Sequence, residues 1–111
     1  MQITTENLEN GITKVSLEGS LDIAGSEEID QQLSDIASNS NGILLDMSEV
    51  SFLASIGIRS LVMATKSLHL RNGQMVILNP QEVVAKVLTT AAIDKIIPVF
   101  EDEDAALAAL S

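Results

Sequence analysis

Two short runs of uninterrupted apolar residues, Ile43-Leu44-Leu45 before Asp46 and Met75-Val76-Ile77-Leu78, constrain this chain more than any other feature. A strand with one wet face alternates polar and apolar residues. A run without alternation, too short for a helix, belongs to a strand covered on both faces. Such strands pair in parallel, and parallel neighbours need a long crossover, usually a helix. The intervening segment supplies one: Met47 to Ala54 reads as a loop at the strand's carboxyl end, and a helix follows from Ser55 to Leu70. Ile58, Leu61, Val62, Thr65 and Leu68 fall on its inward face, and Asn72-Gly73 stops it.

The flanking segments extend the same scheme. Gln2 to Leu8 and Ile12 to Glu18 read as two strands joined at Asn10-Gly11, a dipeptide suited to the positive φ of tight hairpins. Ser26 is the expected cap of a helix with Glu27 and Glu28 in its first turn and Ile29, Leu33, Ile36 and Ala37 on one face, ended by Asn39-Ser40-Asn41-Gly42. After the second apolar run, Asn79-Pro80-Gln81-Glu82 is a helix start with Asn79 as cap. Val83, Val84, Val87, Leu88 and Ala91 form its buried face. Ile96 to Phe100 is a last strand, placed at an edge by Pro98, and Glu101 to Asp104 open a small terminal helix. The order β-β-α-β-α-β-α-β-α specifies a mixed α/β (α+β) fold: one four- to five-stranded mixed sheet with about four helices packed against it. With 111 residues, 46% of them apolar, a single domain over residues 1–111 is expected.

Absences narrow the chemistry. There is no cysteine, hence no disulfide, thiolate metal site or thiol nucleophile. His69 has no second imidazole with which to share a metal or a proton relay, and its scattered glycines compose neither a dinucleotide fingerprint nor a phosphate loop. Leu53-Ala54-Ser55-Ile56-Gly57 lacks the first glycine of a nucleophile elbow. The acids at 101–104 lack the spacing of a calcium loop. These readings point to a protein that is not an enzyme and binds no cofactor or metal. The net charge of −10 disfavours nucleic acid and anionic membranes, and no apolar run approaches the ~20 residues needed to span a bilayer. A cytoplasmic protein is the expectation. Charge is uneven, however: residues 59–95 hold Arg59, Lys66, Arg71, Lys86 and Lys95 against Glu82 and Asp94, a polarity suited to a protein partner.

Ser55 stands out by position, at the mouth of a helix and two residues before Gly57. A helix N-terminus stabilises phosphate through free N–H groups and its dipole, and an ordinary N-cap serine occupies the same kind of place. Arg59 lies four residues on, in reach of a phosphate or of a partner carboxylate. Asp22 and Asp46, at strand ends, are open to both a functional and a capping reading.

The stretch from Ile43 through Asp46-Met47-Ser48-Glu49-Val50-Ser51-Phe52-Leu53-Ala54-Ser55-Ile56-Gly57-Ile58 resembles the signature of the STAS domain, shared by sulphate transporters and anti-sigma factor antagonists. Gly19-Ser20-Leu21-Asp22, Asn72-Gly73-Gln74, Val87-Leu88 and Ile93-Asp94-Lys95-Ile96-Ile97 resemble further parts of that domain. The resemblance implies a STAS fold and, at this length, the stand-alone anti-sigma factor antagonist branch. In that branch the first serine of an Asp-Ser-Ser-Gly motif is phosphorylated, and it falls on Ser55; Ala54 and Ile56 replace the neighbouring Asp and Ser, and Arg59 stands where glycine is frequent. It further implies a partner switch. The unphosphorylated chain binds a GHKL-type serine kinase that is also the anti-sigma factor, phosphorylation at Ser55 blocks binding, and a PP2C-type phosphatase restores it. Asp22, Ser55, Ile56, Gly57 and Arg59 are the expected contact residues. The alternatives are an accessory subunit docked on a membrane lipid-transport ATPase, with Ser55 as a cap, or a module sensing a nucleotide or other small ligand.

Overall fold

The computed structural model describes residues 1–110. Both apolar runs are central strands, within β3 (Gly42–Leu53) and β4 (Gln74–Leu78), and their alternate side chains enter different cores. Ile43, Leu45, Met75 and Ile77 point to a large core shared with helices α1 (Ile23–Asn39), α2 (Ser55–His69) and α3 (Glu82–Thr90). Leu44, Val76 and Leu78 point the other way, onto Ala106 of α4 (Glu103–Leu110). Strands covered on both faces are the physical reason these runs do not alternate.

The sheet has five strands in the order β1-β2-β3-β4-β5, with β1 (Gln2–Asn7), β2 (Ile12–Leu21) and β5 (Val99–Phe100) completing it. β1 runs antiparallel to β2, and β2, β3, β4 and β5 are mutually parallel. Asn10 and Gly11, at φ of 63° and 75°, turn the chain between β1 and β2, although through a 3-10 turn over Glu9–Gly11. Lys14 of β2 donates to Glu103 at 2.7 Å and ties α4 to the sheet. That hydrogen bond holds the Lys14 ammonium above its ordinary 10.5. The tie is therefore whole at neutral pH and fades only as pH rises through the elevated value.

Four local expectations are corrected. First, Met47 to Leu53 is strand, and the loop is absent: β3 gains residues over β2 at two register shifts, between Ser16 and Glu18 and between Gly19 and Ser20. Each bulge resets the face, so Met47, Val50 and Leu53 are buried at intervals of three and the period-two signal is lost. The Ser48 N–H, freed by the first bulge, donates to Asp46 Oδ1 at 3.0 Å, which gives Asp46 a structural task.

Second, α1 begins before Ser26. Asp22 is its cap, accepting from the Gly25 N–H at 2.8 Å, and Ser26 is buried with a hydroxyl that lacks a partner among the described residues. Third, α3 starts at Glu82 because Asn79 takes φ of 51°, outside helical space, and donates its N–H to Phe100 O. The buried face of the helix is narrower than expected: Val84 and Leu88 are buried, while Val83 and Ala91 are exposed. Fourth, only Val99 and Phe100 of the last segment pair, at the expected edge, because Ile93–Lys95 forms a 3-10 turn first.

The start of α1 yields neighbouring substitutions of opposite sign. A Cβ on Gly25 would lie 2.1 Å from the Ser20 carbonyl oxygen, so Gly25→Ala should cost about 1–3 kcal/mol by overpacking, exceeding the ~1 kcal/mol of helix propensity gained. Ser26→Ala removes a buried hydroxyl that has no partner among the described residues and should add about 1 kcal/mol. Denaturant melts of the two variants check both signs.

Candidate functional site

The carboxyl ends of β2 and β3 lie together, with Leu21 paired to Leu53, and α1 and α2 both begin there. Ala54 leaves β3 and donates its N–H to the Leu21 carbonyl at 3.0 Å. Its own carbonyl accepts from the N–H groups of Gly57 and Ile58 at 3.0 and 3.1 Å, closing the first turn of α2. Ala54 is thus the cap residue, without any side-chain cap, and Ser55 is the first helical residue. The alternative reading of Ser55 as an ordinary N-cap is corrected accordingly. Its side chain is exposed and has no hydrogen-bond partner among the described residues.

The other expected contact residues divide by location. Ile56 is exposed beside Ser55, and Arg59 is exposed one turn on, with no ion pair among the described residues. Gly57 faces inward: a Cβ there would sit 2.7 Å from both the carbonyl oxygen and Cγ of Leu21. Glycine allows α2 to rest directly on the end of β2, which positions its neighbours. Asp22 is half-buried, with one carboxylate oxygen engaged by the Gly25 N–H, and so holds the start of α1 next to that of α2.

Sequence reasoning missed three exposed apolar side chains, Phe52 and Ile23 at this end and Met63 further along α2. Phe52 is 51% exposed, Ile23 66% and Met63 55%. The second bulge of β3 sets Phe52 opposite Ser20 and outward. Ile23 follows the Asp22 cap directly. One signal was available, since Val50 to Ile58 contains no charged residue in a chain of net charge −10. An open groove of about 370 Å³ continues from this end between α1 and α2, lined by Asp30 and Leu33 on one side and Ile56, Arg59 and Met63 on the other. Within it the Ser60 hydroxyl donates to Asp30. The described residues include no cluster of His, Cys, Asp and Glu able to hold a metal, and no helix long and apolar enough to cross a membrane.

What this arrangement offers is an apolar surface that carries the exposed Ser55 hydroxyl and, one turn along α2, the exposed Arg59 guanidinium, both without a partner among the described residues. A phosphate on Ser55 would meet the positive end of α2 and require no rearrangement of the core.

Known proteins share this fold. The profile of the STAS domain matches residues 5–106. BtrV of Bordetella bronchiseptica, a candidate anti-sigma factor antagonist by name, is 24% identical over 110 residues, covering 98% of this chain and 94% of its own. The unphosphorylated form of the anti-sigma factor antagonist SpoIIAA superposes with a TM-score of 0.80 at 22% identity over 94% of this chain and 92% of its own. The phosphorylated form of the Bacillus cell fate determinant SpoIIAA superposes at 0.75, with 20% identity over 99% and 100%. The likeness to the solved structures is one of fold.

Asp22 provides the check on how the site is built. Asp22→Ala removes the cap of α1 and should cost about 1 kcal/mol in unfolding free energy, while Asp22→Asn, an equally good cap, should cost little. Equal loss in both variants would contradict the capping role.

Proposed function

The chain belongs to the STAS domain family, and from that premise we propose that it is an anti-sigma factor antagonist whose hold on its partner is set by phosphorylation of Ser55. It acts by binding and not as an enzyme. The observation that carries the reading is Ser55 itself: exposed, unpartnered among the described residues, and flanked by exposed Phe52 and Ile56. The names of BtrV and SpoIIAA support the general role, and SpoIIAA occurs in phosphorylated and unphosphorylated forms.

In the unphosphorylated state, Phe52, Ile56 and Ile23 present an apolar face to a serine-kinase anti-sigma factor of the GHKL type, and the sigma factor or other effector is released. The neutral Ser55 hydroxyl is readily buried in such a contact, and Arg59 at its rim takes a carboxylate of the partner. Gly57 and Asp22 contribute by holding the two helix starts in place. Phosphorylation then adds about −1.5 to −2 charges at the centre of the face. Burying that charge against apolar side chains is prohibitive without a new cationic partner, so the complex opens. A PP2C-type phosphatase reaches the exposed phosphate and resets the switch. The kinase and its nucleotide place this cycle in the cytoplasm.

The test is a binding pair. Ser55→Ala should bind the cognate kinase as the unmodified chain does, and Ser55→Asp should bind at least roughly tenfold more weakly, equivalent to about 1.4 kcal/mol. Equal affinity of both variants in calorimetry would sink the charge mechanism.

A further inference from the structure

Among the described helices only α2 carries no acidic residue, in a chain of net charge −10. Along its outer surface Ile56, Arg59, Met63, Lys66 and, at the C-cap, Leu70 recur at alternating intervals of three and four. At 3.6 residues per turn these five positions fall within roughly 80° of arc and extend over about 21 Å. Apolar residues occupy every seventh position, at 38%, 55% and 87% exposure for Ile56, Met63 and Leu70, with a base at every seventh position between them. A solvent-facing helix surface is ordinarily polar, and apolar residues at heptad spacing with flanking charges are how one helix receives another.

The charges show what kind of helix. Arg59 and Lys66 have no ion-pair partner among the described residues, whereas Lys14 is paired with Glu103 and Lys86 with Glu82. The neighbouring α1 contributes Asp30 to the groove wall and no base, and that side of the groove therefore repels acids. An incoming acid is steered to Arg59 and Lys66, and an incoming aliphatic side chain to the groove beside Ile56, Met63 and Leu33.

We infer that the exposed stripe of α2 from Ile56 to Leu70 is a docking ridge for a helix of the partner protein, one with aliphatic residues at heptad spacing flanked by Asp or Glu. The inference rests on the function proposed above and deepens it, since contact runs the length of α2 beyond the turn that holds Ser55. It also adds a route for the switch: Arg59, one turn from Ser55, pairs with the partner's acid until a phosphate on Ser55 competes for it.

The test places a photo-crosslinking residue in the full chain, in its native host, at Phe52, at Leu70 or at Val83, an exposed apolar control on α3. The expected result is that Phe52 and Leu70 probes attach to one protein and the Val83 probe does not. The peptide joined to Leu70 should carry the aliphatic and acidic pattern. With that protein purified, Arg59→Glu with Lys66→Glu should weaken binding at least roughly tenfold, and exchanging the facing acids for lysines should restore it. Capture by Phe52 without Leu70 overturns the ridge and leaves the proposed function standing. Capture by neither overturns both. A Leu70 peptide without acids, one from a second copy of this chain, or failure of the charge exchange overturns the ridge.

Discussion

The carbonyl of Leu21 fastens the functional end of the molecule together. It accepts the Ala54 N–H at 3.0 Å and is the atom against which Gly57 rests, with room for no Cβ. The next residue, Asp22, caps α1. Two consecutive residues at the end of β2 thereby locate the starts of both helices. α2 cannot slide or tilt without breaking the bond or colliding with Leu21, so the outward aim of Ser55, Ile56 and Arg59 follows from packing beneath them. The site lies where α/β sheets present their functional groups, outside the carboxyl ends of parallel strands.

The central strands were legible because burial on both faces leaves a direct mark in composition: β4, Gln74–Leu78, exceeds its apolar run Met75–Leu78 by one residue. The second half of β3 was not, because two bulges turn a period of two into intervals of three at Met47, Val50 and Leu53. Helix starts misled for a related reason. Ser26 and Asn79 have the chemistry of caps, but a cap is chosen by where the chain leaves the sheet, and tertiary packing put one inside the core and the other in a left-handed turn. At the site, the exposed positions of Ser55 and Arg59 follow from helical spacing; Ser55 stood out by its place at a helix mouth, and its reading as the phosphorylated serine came from resemblance. Phe52, Ile23 and Met63 were hidden, since an apolar residue near a strand or helix reads as core until the bulge or helix rotation that exposes it is known.

Electrostatics and packing divide the work across this end. The core beneath is mainly apolar, and the exposed side chains of Ser55 and Arg59 lie outside it. α1 is acidic, α2 is free of acids, and the segment from Val50 to Ile58 is free of charge altogether. A neutral hydroxyl amid such a surface is compatible with burial under a partner, and a dianion is not. In the function proposed above, a single group on Ser55 decides association.

The most direct measurement is peptide mass spectrometry of the protein isolated from its native host, during growth and under stress. The expected result is one phosphate on the peptide containing Ser55, with occupancy that changes between the two conditions. Ser55 unmodified in every condition, with the partner bound throughout, would contradict a switch at this residue.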